Sequence, residues 1–343
     1  MKDLYRKVGS RNQLVTARRI RFCDGVADGV RAIELRNSNG LYTTCIEDLC
    51  MNLYDFSYKG INFAFQSKAG LVSNRFFSGG CGDFSHYWPA GLLYTCGLTN
   101  TGVAVSENSI FYPEHGRIGM LPAEHVTIEQ TPDAVILRGT MRDSLLCGDD
   151  LHLHRTIRFP VNGKEIELWD EVENREGTTA EFMLLYHCNL GHPLLDENAQ
   201  VLLGQGKTEN RTPGGIPLAD RYIVSAPRDD KNEIVWERYM KPDSQGYAAA
   251  AVINNALRLG FYIRYRTDTL PYLIHWNNLC AHDYCIGLEP SNCRSLGRVA
   301  ERAGGTLPVL PPYGKQTFHL ILGVLDGLDE IEGFQEYIGG TSI

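Results

Sequence analysis

Glu289 sits in Ile286-Gly287-Leu288-Glu289-Pro290-Ser291-Asn292, a single carboxylate between an apolar run and a proline. A second stretch, Phe182-Met183-Leu184-Leu185-Tyr186, runs into His187-Cys188-Asn189-Leu190-Gly191-His192-Pro193, so two histidines and an amide leave an apolar segment together. A carboxylate and an imidazole at two strand ends are the minimal apparatus for moving protons on and off a neutral hydroxyl compound. Their ordinary pKa values are about 4.3 and about 6.5. Partial burial of the Glu would bring the two close enough to act as base and acid near neutral pH. Taken alone, a strand-terminal Glu is more often a solvated edge charge or an ion-pair member, so the elements around it have to decide.

Those elements read as short strands. Residues 270–289 contain two apolar runs around a polar joint, the pattern of a hairpin, and Pro290, lacking a backbone donor, is expected to weaken pairing just past Glu289. Arg31–Arg36 and Leu41–Ile46 flank Asn39-Gly40, a hairpin turn signal. In residues 151–174, Leu151, Leu153, Ile157 and Phe159 alternate with polar residues, Asn162-Gly163 turns, and Ile166, Leu168 and Val172 resume the apolar face; His152 and His154 then fall on the polar, exposed face. Residues 252–265 form another hairpin turning at Asn254-Asn255. Residues 204–220 are the longest loop expected, and Trp236 to Asp243 a second polar connection. The 35 glycines and 15 prolines are spread along the chain, as in a protein of many short strands. An all-β, two-sheet sandwich follows, as one domain over residues 1–343 with 1–30 as an N-terminal extension that packs across the sandwich or mediates self-association.

Composition narrows the function. At 343 residues, 43% hydrophobic and 22% charged, the chain has material for a large core. A net charge of −8 argues against nucleic acid as a partner, which calls for a basic face. The N-terminus shows no secretory signal and no run approaches a membrane span, so a cytoplasmic location without membrane contact is expected. The ten cysteines form no Cys-x-x-Cys pair and are expected as reduced, mostly buried thiols. Cys280, His282, Cys285 and Cys293 match no zinc spacing, and no Gly-x-Gly-x-x-Gly opens a helix after a strand. No metal or nicotinamide cofactor is expected.

Four motifs in order resemble the galactose mutarotase-like (aldose 1-epimerase) superfamily, and its bacterial branch of aldose 1-epimerase family proteins most. They are Gly91-Leu92-Leu93-Tyr94-Thr95-Cys96-Gly97-Leu98-Thr99-Asn100 with Gly102; His115-Gly116-Arg117 leading to Leu121-Pro122-Ala123-Glu124; Tyr186-His187-Cys188-Asn189-Leu190-Gly191; and Gly287-Leu288-Glu289-Pro290. The resemblance spans roughly residues 30 to 325 and implies a large antiparallel supersandwich whose strand ends form a sugar cleft. It implies Glu289 as the catalytic base and His187 as the general acid. His115 resembles the histidine that binds sugar near its anomeric carbon, and Arg75 the upstream substrate-binding arginine, with Arg117 competing for that role. Asn189 and Trp276 are further expected substrate contacts. Tyr94, Trp88 and His275 are possible cleft walls, although core packing is the commoner fate of such residues. An acidic residue gripping a sugar hydroxyl is implied between the catalytic motifs, and Asp220, Asp243, Asp268 and Asp283 all qualify.

The implied reaction is anomer interconversion of a free aldose or sugar derivative. Two other classes stay open: a non-catalytic carbohydrate-binding or sensing protein, and a lyase or hydrolase on the same fold. Glycoside hydrolysis usually calls for two carboxylates some 5 to 9.5 Å apart, and one good strand-end carboxylate is visible. Homo-oligomerisation is compatible with the sequence.

Overall fold

A computed structural model describes residues 5–212 and 222–339. Its strands build two large antiparallel sheets. In the eleven-stranded sheet, Val15–Arg21, Arg31–Asn37, Leu41–Ile46, Asn52–Tyr58, Leu93–Leu98, Met183–Leu190, Cys285–Ser291, Tyr272–Asn278, Ile234–Met240 and Gly206–Asn210 lie side by side, with Ile61–Asn62 added to Asn52–Tyr58. The eight-stranded sheet runs Ala199–Leu203, Tyr247–Asn254, Leu259–Arg266, Lys315–Asp326, Glu165–Asn174, Asp150–Pro160, Ala134–Ser144 and Glu124–Gln130. This is the expected supersandwich. The core lies between the sheets, where Leu151, Leu153, Ile157 and Phe159 meet Phe56, Tyr186 and Leu288. Alternation puts every second residue of a strand on that face.

The hairpins at residues 31–46, 151–174, 252–265 and 270–289 form as their patterns predict. Four expectations are corrected. The segment before Arg31 is no appendage: Val15–Arg21 is the edge strand, in register with Arg31–Asn37, because Leu14 and Val15 bury against the core. Trp236 to Asp243 is largely strand. Two of its charged side chains find partners there, Glu237 accepting from Arg294 Nε at 2.7 Å and Arg238 donating to Gly204 O at 2.9 Å, while Trp236 is fully buried. His152 is buried, flanked by the long side chains of Arg142 and Glu173 and 3.0 Å from Asp150 Oδ1; only His154 keeps part of its surface in solvent. The 204–220 stretch contributes the strand Gly206–Asn210, and its remainder from 213 lies outside the described residues.

A buried polar bridge ties the sheets together beneath the His187 strand. Arg155 of the eight-stranded sheet pairs with Asp170 at 2.6 Å and donates to Cys50 O and Thr95 Oγ1, both at 2.9 Å, and Tyr186 OH donates to Asp170 Oδ2 at 2.8 Å. The helix Leu328–Tyr337 caps the outer face of the eight-stranded sheet through Ile331 and Phe334. Among the described residues no helix is long and apolar enough to cross a membrane, no group of His, Cys, Asp and Glu is arranged to hold a metal ion, and all ten cysteines are free thiols, seven of them buried.

Candidate active site

Met183–Leu190 and Cys285–Ser291 are adjacent, fully buried strands in the middle of the eleven-stranded sheet. Their ladder holds Leu185 opposite Ser291 and Cys188 opposite Leu288 but is interrupted in between, at Tyr186-His187 and Glu289-Pro290. Pro290 cannot donate across this gap, yet on its other side Glu289 and Pro290 stay in register with Ile274 and Leu273. The weakening expected after Glu289 is therefore one-sided, and both residues sit within strands rather than at their ends. The register sets His187 against Glu289, with both side chains on the face turned away from the inter-sheet core. His187 Nε2 lies 3.3 Å from Glu289 Oε1.

Gly287 is two residues before Glu289 and so on the same face. A Cβ there would lie 2.4 Å from Glu289 Oε1 and 3.1 Å from Trp276 Cβ; glycine makes the room in which the carboxylate lies. Gly116 serves a similar end: its backbone, at φ +73°, passes so close to Gly97 that a Cβ would stand 2.1 Å from Gly97 O, which seats His115 over the sheet. The amide of Gly102 donates to His115 Nδ1 at 3.5 Å, leaving Nε2 to carry the ring proton of the neutral form.

These groups open into a cavity of about 190 Å³ lined by Phe84, Trp88, Glu114, His115, His187, Arg211, Glu233, Trp276 and Glu289, among others. Its walls are aromatic. Trp88 is stacked on Phe84 at 5.4 Å and stands edge-on to Trp276 at 5.9 Å, and His187 lies 5.3 Å from Trp88, 5.5 Å from Trp276 and 5.8 Å from His115 between ring centroids. Trp276 Nε1 donates to Glu233 Oε2 at 2.7 Å.

Burial dominates the electrostatics. It pushes the Glu289 carboxyl well above the ordinary range, with Arg211 pulling the other way and Glu233 adding to the rise. It drives His187 well below the usual imidazole value, helped by His115 and opposed by the Asn189 amide. His115 falls to about 4 through burial and the nearby Arg211, and Glu114 is raised by burial and by Glu233. Burial thus favours the neutral form of both histidines. Arg211 donates to the backbone oxygens of Arg294 and Ser295 at 2.7 and 3.1 Å, which fixes its guanidinium beside the cavity.

The structure brings together Glu289, His187, His115 and Trp276, with Trp88 as a wall. Other candidates lie elsewhere. Arg75 is exposed on the turn Asn74–Phe76, bonded to Asp28 O at 3.3 Å, and Arg117 is exposed near buried Asp143; neither lines the cavity. Asn189 is buried, its amide donating to Gly91 O and His187 O at 2.9 and 3.0 Å, so it braces the His187 strand from behind. Tyr94 packs behind the aromatic wall, and His275, opposite Leu288 on the core face, packs tilted against Trp236. Asp243 serves the turn at Gln245 and Tyr247, Asp268 pairs with Arg266, and Asp283 with Lys68; Asp220 lies outside the described residues. Cys280, Cys285 and Cys293 are buried among different partners and form no cluster with His282.

The acids that do line the cavity are Glu114 and Glu233, and its cation is Arg211. Glu114 directly precedes the His115-Gly116 motif, a signal the sequence offered. Glu233 and Arg211 flank the paired strands Ile234–Met240 and Gly206–Asn210, and no local pattern marks them.

Solved structures share this architecture. A protein from Klebsiella pneumoniae subsp. pneumoniae, provisionally named an aldose 1-epimerase, superposes with a TM-score of 0.88 at 23% identity over 95% of this chain and 89% of its own. A galactose mutarotase-like protein from Clostridium acetobutylicum gives 0.62 at 12% identity over 91% and 98%, and a galactose 1-epimerase from Lactobacillus acidophilus 0.61 at 11% over 91% and 99%. At these identities the likeness is one of fold. No curated protein matches the chain in sequence. One family model, described as Domain of unknown function (DUF4432), matches residues 27–324, so the chain belongs to that family, and it carries the galactose mutarotase-like fold.

Proposed function

We propose that the protein is a cofactor-independent aldose 1-epimerase-like isomerase that interconverts the anomers of a free sugar. The observation that carries this is the approach of His187 Nε2 to Glu289 Oε1, 3.3 Å, at the floor of an aromatic-walled cavity. The anomeric hydroxyl and the ring oxygen are bonded to the same carbon, so a base for one and an acid for the other must converge on one point. At about 190 Å³ the cavity is smaller than the roughly 300–1,000 Å³ typical for drug-sized ligands, which suits a single sugar ring.

In the opening step Glu289 takes the proton of the anomeric hydroxyl while His187 gives one to the ring oxygen, and the bond between the anomeric carbon and that oxygen breaks to leave the aldehyde. The pair is then a neutral acid beside a neutral imidazole, the form that burial favours. Rotation about the bond next to the carbonyl presents its other face. Reclosure returns both protons, Glu289 now donating and His187 accepting, and gives the other anomer. Opening requires the ionised pair, which the sugar hydroxyls and Arg211 help to stabilise. His115, with its proton on Nε2, donates to a sugar oxygen near the same carbon, and Trp88 and Trp276 pack on the apolar face of the ring.

Saturation-transfer NMR of α/β exchange over a panel of free sugars tests this. Acceleration by the wild type, lost by about 10² to 10⁴ in both Glu289→Gln and His187→Ala, is the expected result. Binding of a sugar without acceleration of any would leave a carbohydrate-binding protein instead.

A further inference from the structure

We infer that Glu114 and Glu233 form a cation subsite, so that the sugar taken by this cavity carries an ammonium group: its ligand class is an amino sugar with a free amine, an inference that rests on the sugar-binding reading of the same cavity.

The two carboxylates line one small cavity, and Glu233 raises the pKa of Glu114 beyond the effect of burial. Several other acids that line or border buried ground in this chain are paired with cations. Glu181 and Glu107 are held by Arg298 and Arg302, Glu237 by Arg294, and Asp170 by Arg155. Glu114, partly buried, and Glu233, exposed, have no ion-pair partner among the described residues, and the side-chain hydrogen bond that Glu233 does receive comes from the neutral indole of Trp276. Arg211 does not fill the gap. Its guanidinium is spent on two backbone carbonyls, and burial lowers its pKa against the opposing pull of Glu237, Glu289 and Glu301.

A second observation points to a ligand in the same space. Glu289 Oε1, 2% exposed as a residue and facing the cavity, has no hydrogen-bond partner, its 3.3 Å approach to His187 lacking hydrogen-bond geometry. The cavity thus holds Glu114 and Glu233 beside one arginine, while burial favours the neutral forms of the Glu289 carboxyl and of the two histidines. An ammonium group between Glu114 and Glu233 makes charge-assisted hydrogen bonds to both and is further favoured by the indole faces. A phosphate or carboxylate there meets like charge. A neutral hydroxyl bonds to the acids without balancing their charge.

The test compares three free hexosamines of gluco, galacto and manno configuration with their parent hexoses, N-acetyl derivatives and uronic acids, by calorimetric binding and by NMR anomer exchange at neutral pH. The expected result is a kcat/KM or affinity at least about tenfold higher for one amine than for its parent, lost on N-acetylation, with that ratio falling towards one in Glu114→Gln and in Glu233→Gln proteins whose circular dichroism matches the wild type. Equal or better use of the parent hexose overturns the amino-sugar assignment and leaves the isomerase reading standing. Glutamate-dependent binding of an amine with no acceleration of exchange upholds the subsite and overturns the isomerase. No binding and no acceleration for any sugar overturns both.

Discussion

His187 Nε2 and Glu289 Oε1 face each other at 3.3 Å across a gap in the ladder between adjacent strands, with side chains only 6% and 3% exposed. A pair this close titrates as a unit. Burial raises the carboxyl and lowers the imidazole, so over the interval between the two shifted values the pair holds one proton in total, whether on Glu289 or on His187.

That interval sets the pH dependence. Ring opening needs the singly protonated pair, which is lost on the acid side when His187 gains a proton beside a protonated Glu289 and on the alkaline side when Glu289 loses its own. Because His187 is depressed and Glu289 elevated, the two limbs move apart. kcat/KM for anomer exchange is expected to be flat across neutrality, with its acid limb below the ordinary imidazole value of about 6.5 and its alkaline limb well above the ordinary carboxyl value of about 4.3. A single sigmoid rising through about 6.5 would mean that His187 acts as an unshifted base without Glu289.

Gly287 can be tested independently of charge. Gly287→Ala places a methyl 2.4 Å from where Glu289 Oε1 lies, and the carboxylate, the free end of a side chain, must move. kcat is expected to fall at least about tenfold, since displacements near an ångström at a reacting group cost that much or more, with a loss of about 1–3 kcal/mol in stability from overpacking. Denaturant unfolding alongside kinetics separates the effects; a variant with full kcat would show that the position of Glu289 is not critical.

The two arginines suggested by motif order and the one found by geometry make a direct comparison. Arg211→Gln removes the guanidinium beside the cavity and is expected to raise KM about tenfold or more, as loss of one charged partner in a partly buried site does. Arg75→Gln, altering an exposed turn, and Arg117→Gln are expected to leave KM within about twofold, since surface substitutions stay near ±0.5 kcal/mol. The opposite ranking would return the substrate contact to the upstream motif.

The contrast shows what the sequence could carry. Strand alternation and Asn-Gly turns revealed most hairpins, and polar residues leaving apolar runs marked Glu289 and His187, because both signals are local. His275 and Trp276 were separable on the same grounds: Trp276 lies opposite Gly287, on the face of Glu289, and His275 opposite Leu288, on the core face. Arg211 and Glu233 were not legible, since they reach the cavity only through the pairing of Gly206–Asn210 with Ile234–Met240 at the far end of the sheet. Trp236 to Asp243 looked like a connection because its charges are visible in sequence while their partners, Arg294 and the Gly204 carbonyl, are distant.

The Arg155–Asp170 pair leaves no local mark in the sequence and bears on stability. Both side chains are 0% exposed, and the pair binds Thr95 and Tyr186, on the strands that flank and carry His187. Arg155→Met leaves Asp170 with a buried charge answered only by the Tyr186 hydroxyl, and a loss of about 3–5 kcal/mol is expected in urea unfolding. Replacing both partners by apolar residues, as in Arg155→Met with Asp170→Leu, removes the orphaned charge and is expected to recover part of that loss. It still strands the Tyr186 hydroxyl and the Cys50 carbonyl without their partners, at about 1–3 kcal/mol for each buried group left unsatisfied. If the single variant unfolds like the wild type, the bridge does not hold the sheets together, and the site above it must be kept in register by the apolar core alone.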